Sequence, residues 1–141
     1  MKKRTAFIGV ILSLIPLGQP LIIKTGVVLS STSLILAFSE KVYAESVKSY
    51  FNRGLENGNN GDYYGAISDF TKAIEIDPQY EKSYYNRGWN KGKLKDYYGA
   101  ISDFTKAIEI NPQYGKAYYN RGWNKDKLKN YSGAISDYTK A

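Results

Sequence analysis

The chain contains neither cysteine nor histidine. It therefore cannot form a disulfide bond, a thiol nucleophile, a histidine general base or the usual transition-metal sites. The net charge is +7, but the 97 residues from Glu45 onward carry 15 basic against 12 acidic residues, a charge of only +3. Nucleic-acid-binding domains usually carry a denser basic stripe, so nucleic acid is not an expected partner. We expect no catalytic residues, no metal site and no cofactor.

The first 44 residues differ in composition from the rest of the chain. Three positive charges within Met1–Arg4 precede an apolar stretch from Ala6 to Ile23, which is the order found in export signals. A second apolar stretch runs from Gly26 to Phe38. The sequence therefore predicts that residues 1–44 direct the chain to a membrane.

Two fates are open for this segment. The small side chains of Val42 and Ala44 before Glu45 suit a signal-peptidase site, which predicts a signal peptide cleaved after Ala44. Alternatively the segment is a retained membrane anchor, because Ala6–Ile23 approaches the roughly 20 apolar residues of a transmembrane helix. In either case residues 45–141 are expected outside the cytoplasm, secreted or anchored to the membrane.

The remainder of the chain is built from internal repeats. Residues 47–80 and 81–114 are identical at 25 of 34 positions, and residues 81–107 and 115–141 at 21 of 27. This period is that of tetratricopeptide repeats. The shared positions are an aromatic residue (Tyr50, Tyr84, Tyr118), a glycine (Gly54, Gly88, Gly122), an alanine (Ala66, Ala100, Ala134), a second ring (Phe70, Phe104, Tyr138) and the closing Pro78 and Pro112. In these residues the chain resembles the tetratricopeptide-repeat family.

Each repeat is expected to contain two helices, A and B. In the first repeat, Ala66, Phe70 and Ala73 follow a helical spacing that predicts helix B over Tyr63–Ile76. Helix A is expected at 47–60, 82–94 and 116–128. The predicted N-caps of the B helices are Asp62, Asp96 and Asn130. Proline after Asp77 and Asn111 is expected to end the first two B helices.

The resemblance implies an all-α fold, a right-handed α-α superhelix. It would hold about 2.75 repeats, at 47–80, 81–114 and a truncated 115–141, after the hydrophobic export segment of residues 1–44.

An arginine recurs in each A helix, and an aspartate recurs at a matching position in each B helix. The pairs are Arg53 with Asp69, Arg87 with Asp103, and Arg121 with Asp137. An unpaired guanidinium that is partly buried is costly, so we expect an ion pair between the A and B helices of each repeat. The alternative is that each arginine extends along its own helix to solvent.

One face of each A helix carries lysine, tyrosine, asparagine and tryptophan at helical spacing. The members are Lys82, Tyr85, Asn86, Trp89 and Lys93 in the second repeat, and Lys116, Tyr119, Asn120, Trp123 and Lys127 in the third. The resemblance implies that this face is concave and binds a peptide. Some family members hold a peptide carboxylate there with lysine and asparagine, but tyrosine and tryptophan occupy two of the positions of that clamp here. The alternative is that the rings fill the packing between helices.

The resemblance implies a non-enzymatic scaffold or adaptor that binds another protein or a peptide, with acidic and carboxylate-ended peptides as candidates. A second hypothesis is a structural protein that self-associates through its third repeat, where Ala134, Ile135 and Tyr138 have no capping helix after them. A third is binding to polyanions or anionic membranes. For the basic runs Lys91–Lys95 and Lys125–Lys129 we favour solvated helix ends over such binding.

Overall fold

The computed structural model describes residues 21–22, 28–29 and 31–141. The chain divides into two units, Met1–Val42 and Tyr43–Ala141. In the first unit, strand β1 (Leu21–Ile22) pairs antiparallel with strand β2 (Val28–Leu29). Leu21 and Ile22 belong to the end of the predicted apolar span Ala6–Ile23, whose other residues lie outside the described part of the chain.

Six helices follow in the described residues. They are α1 (Ser31–Asn59), α2 (Tyr63–Ile76), α3 (Glu81–Lys93), α4 (Tyr97–Ile110), α5 (Gly115–Lys127) and α6 (Tyr131–Tyr138). Helices α3 and α5 are the A helices of the second and third repeats, and α2, α4 and α6 are the three B helices. The B helix of the first repeat has the predicted bounds, and the A helices of the second and third repeats begin and end one residue before the predicted ones.

Helix α1 is longer than predicted, because it begins at Ser31 instead of Val47. The sequence from Ser31 to Ser46 contains neither proline nor glycine, so nothing in it interrupts a helix. The predicted cleavage position, Ala44, is an exposed residue inside this helix. None of the helices in the described residues combines the length and the apolar character that a membrane span requires.

The predicted N-caps are present at all three B helices. A side-chain oxygen of Asp62 accepts a 2.9 Å hydrogen bond from the backbone N–H of Gly65, and Asp96 does the same for Gly99. Asn130 accepts a 3.0 Å hydrogen bond from the N–H of Gly133. Each acceptor satisfies a backbone donor that the first turn of a helix leaves without a partner.

The core consists of small residues and rings that recur with the repeat. Ala66, Phe70, Ala100 and Phe104 are buried. A Cβ atom on Gly88 would lie 3.1 Å from Asp103 Cβ and 3.2 Å from a ring carbon of Phe104, so a larger residue there would push α3 and α4 apart by a few tenths of an ångström. From α2 to α6, each helix packs against the next, and α3 also contacts α5. The helix pairs thus stack into a solenoid with the second and third A helices side by side.

Candidate functional site

Every arginine that we expected to bind a B helix contacts the expected aspartate. Arg87 donates from Nε to Asp103 Oδ2 at 2.9 Å and from Nη2 to Oδ1 at 2.7 Å. The same two bonds join Arg121 to Asp137 at 2.8 and 2.7 Å. Arg53 also binds both carboxylate oxygens of Asp69. These bidentate pairs hold the two helices of each repeat together.

Lys91 and Lys125 bind the carboxylates of the second and third repeats. Their Nζ atoms lie 2.8 Å from Asp103 Oδ2 and Asp137 Oδ2. Burial alone would raise the pKa of Asp137, but the hydrogen bonds from Arg121 and Lys125 outweigh it and lower that pKa. The expectation that the basic runs are solvated helix ends is therefore wrong for Lys91 and Lys125. Both occur four residues after the arginine, one helical turn along the same face.

One lysine lies over each of two exposed indole rings on the A helices. Trp89 is 37 % exposed and Trp123 is 38 % exposed. Lys93 Nζ lies 4.6 Å from the centroid of Trp89, and Lys127 Nζ lies 4.8 Å from that of Trp123, which are cation–π distances. Lys82 and Lys116 are also exposed, about two helical turns before the tryptophans.

Trp89 and Trp123 line one cleft between α3 and α5. The cleft has a volume of about 210 Å³. Lys93, Tyr119 and Asn120 also line it. The rest of its lining is Gly92, Phe104 and Asn124. Of the ten residues predicted to contact a ligand, this cleft brings together five, which are Trp89, Lys93, Tyr119, Asn120 and Trp123.

Tyr85 packs between helices and does not line the cleft. Its ring centroid lies 5.7 Å from that of Phe104 and 5.0 Å from that of Tyr114. The hydroxyl group of Tyr85 accepts a 3.1 Å hydrogen bond from Asn120 Nδ2. Burial raises the pKa of both tyrosines, that of Tyr114 to about 12. For Tyr85 the alternative interpretation, a ring that fills the packing between helices, describes the structure.

Two buried asparagines near the tryptophans were not predicted. Asn90 and Asn124 are each 3 % exposed, and each donates from Nδ2 to the backbone oxygen four residues earlier at 2.7 Å. Their Oδ1 atoms are buried and have no hydrogen-bond partner in the part of the chain that the structure describes. The sequence signal that could have found them is the asparagine that directly follows each tryptophan.

Family models described as tetratricopeptide repeat match residues 47–80, 81–114 and 115–141, which is more than half of the chain. No curated protein matches it.

Solved structures provide further similarities. The TPR2B domain of yeast Sti1 in its pHsp70 complex is 27 % identical, with a TM-score of 0.65, over 66 % of this chain and 74 % of that one. The first TPR domain of Spaghetti (RPAP3), bound to the HSP90 peptide SRMEEVD, is 29 % identical with a TM-score of 0.67, over 68 % and 76 %. The second TPR domain of the same protein, bound to the same peptide, is 26 % identical with a TM-score of 0.68, over 71 % and 94 %.

Proposed function

Because the chain belongs to the tetratricopeptide-repeat family, whose fold is typical of protein-interaction modules, we propose that it is a non-enzymatic scaffold. Its ligand is an acidic segment of another protein, bound in extended form along α3 and α5. The observation that carries this proposal is the cleft between Trp89 and Trp123, two exposed rings beside lysines. Tryptophan is among the residues that most often dominate binding energy in protein interfaces.

Charge supports an acidic ligand. Lys82, Lys93, Lys116 and Lys127 all belong to the A-helix face, and none of them forms an ion pair within residues 35–141. The cleft has a lysine in its lining and no acidic residue. The peptide SRMEEVD in the similar Spaghetti structures is acidic at its end. Opposite charges across an interface favour the correct partner and accelerate its association.

The proposal places this module outside the cytoplasm. It rests on the order of charged and apolar residues in residues 1–23 and on the small side chains that precede Glu45. The intact mass of the protein purified from its native source distinguishes a chain cleaved after Ala44 from one that keeps its anchor. A native chain recovered at full length from the soluble cytoplasmic fraction would contradict export in either form.

The experiment that tests peptide binding compares two fluorescein-labelled pentapeptides on the full chain by fluorescence polarisation. One is Glu-Glu-Tyr-Glu-Glu and the other is Gln-Gln-Tyr-Gln-Gln, both acetylated and amidated. We expect tighter binding of the acidic peptide. Lys82→Ala and Lys116→Ala should each weaken it about twofold to fivefold, the effect of a single exposed charge pair.

Lys106→Ala is the matched control, because Lys106 is an exposed lysine on helix α4 that pairs with Glu109 at 2.9 Å. It should leave binding unchanged. Equal binding of the two peptides would contradict the proposal. Stronger binding to heparin, lost steeply with salt, would instead favour the polyanion hypothesis.

Self-association is the second candidate function. On helix α6, Ile135 is 67 % exposed and Tyr138 is 41 % exposed, and exposed apolar side chains of this kind often lie in protein interfaces. Sedimentation of the full chain and of Ile135→Lys tests it. A concentration-dependent assembly that the substitution dissolves would support this function, and a monomer at high micromolar concentration would contradict it.

A further inference from the structure

The cleft between α3 and α5 has the size of one aromatic side chain. Its volume is about 210 Å³. A cavity of about 150 Å³ in a protein core accepts benzene, so this space accepts a ring with a polar substituent. Its apolar walls include Phe104, which is buried, and the indoles of Trp89 and Trp123. Aromatic rings favour contact with another ring, edge to face or offset.

Asn120 offers an acceptor to whatever enters the cleft. The two hydrogens of its Nδ2 atom have partners, since Nδ2 donates to Tyr85 Oη at 3.1 Å and to the backbone oxygen of Lys116 at 2.8 Å. The contacts to Tyr85 and Lys116 therefore fix which way the amide points. What remains for a ligand is Asn120 Oδ1, which can only accept a hydrogen bond.

Asn124 lines the same wall but does not offer a second acceptor to a ligand. Its Nδ2 donates to the backbone oxygen of Asn120, and its Oδ1 is directed at Gly92, where a Cβ atom would lie 3.2 Å away. This Oδ1 is buried and has no partner among the described residues. Because this oxygen is covered and faces Gly92, as Asn90 Oδ1 faces Gly58 one repeat earlier, Asn120 Oδ1 remains the acceptor on which the distinction rests.

We propose that this cleft selects a ligand side chain that is aromatic and carries a hydrogen-bond donor, which means tyrosine or tryptophan in preference to phenylalanine or leucine. Asn120 is the residue that makes the distinction. The inference rests on the proposed function, because it specifies which side chain of the acidic peptide enters the cleft.

The first repeat does not offer the same site. Leu55 is at the position of Trp89, and Phe51 is at the position of Tyr85. Phenylalanine has no hydroxyl group, so Asn86 has no counterpart of the bond from Asn120 to Tyr85, and its Nδ2 donates to the backbone oxygen of Lys82 at 2.7 Å. Asn86 is thus a matched control for Asn120, at the same helix position one repeat earlier.

The test compares the acidic pentapeptide Glu-Glu-Tyr-Glu-Glu with its analogues that have phenylalanine or leucine at the centre, on the full chain. Fluorescence polarisation gives the affinities. Tryptophan emission gives a second reading, because the chain has only two tryptophans and both line this cleft. We expect the tyrosine peptide to bind about three- to tenfold more tightly than the phenylalanine peptide, the usual worth of one hydrogen bond, and to shift the tryptophan emission.

Asn120→Leu should remove the preference for tyrosine over phenylalanine, and Asn86→Leu should keep it. Equal affinities of the two peptides for the wild type would overturn the inference, even if Asn120→Leu fails to fold. If both acidic peptides bind more tightly than the Gln-Gln-Tyr-Gln-Gln peptide but equally to each other, the cleft inference is wrong and the proposed function stands. If the acidic peptides bind no more tightly than that peptide, both are wrong.

Discussion

Arg87 Nη1 donates a 3.0 Å hydrogen bond to Thr71 Oγ1, which belongs to the preceding repeat. Arg121 Nη1 donates to Thr105 Oγ1 at 3.1 Å in the same way. Each of these guanidinium groups also binds the aspartate of its own repeat. The ion pair within a repeat therefore also sets how that repeat stacks on the one before it.

Asp103→Ala should destabilise the fold strongly. It would leave Arg87 and Lys91, whose side chains are 17 % and 22 % exposed, without the carboxylate that both bind. Removing one partner of a buried pair costs about 3–5 kcal/mol, because the other charge stays buried and uncompensated. Urea unfolding of the full chain, followed by circular dichroism, measures this loss.

Asp69→Ala is the control, because it removes the equivalent carboxylate in the first repeat. Its partner Arg53 has a side chain that is 56 % exposed and can turn to solvent, so we expect a loss of about 1 kcal/mol or less. Equal losses from the two substitutions would show that burial of the cations does not determine the effect.

Stability should fall at alkaline pH because of Tyr114. Burial raises its pKa in the folded state to about 12, above the ordinary value of 10.0. The folded state thus favours the neutral phenol. The contribution of the neutral Tyr114 side chain to the stability of the fold is complete below pH 10 and is lost as the pH rises from about 10 to about 12. Tyr114→Phe should move the alkaline unfolding midpoint to higher pH.

The matched control for Tyr114 is Tyr64→Phe, since Tyr64 is 75 % exposed. It should leave the midpoint unchanged. Tyrosine absorbance and circular dichroism, followed through the same titration, give both ionisation and unfolding. An unchanged midpoint for Tyr114→Phe would contradict the account.

The positions of the helices within each repeat could be predicted because they follow from local rules. The proline after Asp77 and the capping side chain of Asp62 each act within one or two helical turns, so the sequence alone indicates where α2 begins and ends. The ion pair of Arg87 with Asp103 was also predictable, because a charge in an otherwise apolar stripe requires a partner. The start of α1 was not predicted, since the expected boundary came from the repeat and not from a helix-breaking residue.

The cleft could be predicted only in part. The spacing of Trp89 and Trp123 on adjacent A helices indicated a shared surface. The burial of Tyr85 depends on Tyr114, which directly precedes the next A helix, and on a hydrogen bond from Asn120 across the boundary between repeats. Helical periodicity assigns a residue to a face, but contacts with other elements of the fold decide whether its side chain is covered.

The central claim is that Trp89 and Trp123 serve mainly to bind a ligand and are not core residues. Binding of the Glu-Glu-Tyr-Glu-Glu peptide and thermal melting should therefore be measured together on the Trp89→Ala, Trp123→Ala double variant of the full chain. Because the residues are 37 % and 38 % exposed but each ring also packs edge-on against Tyr63 or Tyr97, we expect a loss of stability smaller than that of a buried aromatic and a loss of about 1–3 kcal/mol in binding per ring. Leu55→Ala is the control and should matter less to binding. Unchanged binding by a folded double variant would contradict the claim, as would a loss of about 3–5 kcal/mol of stability per ring, which is the cost of truncating a buried aromatic.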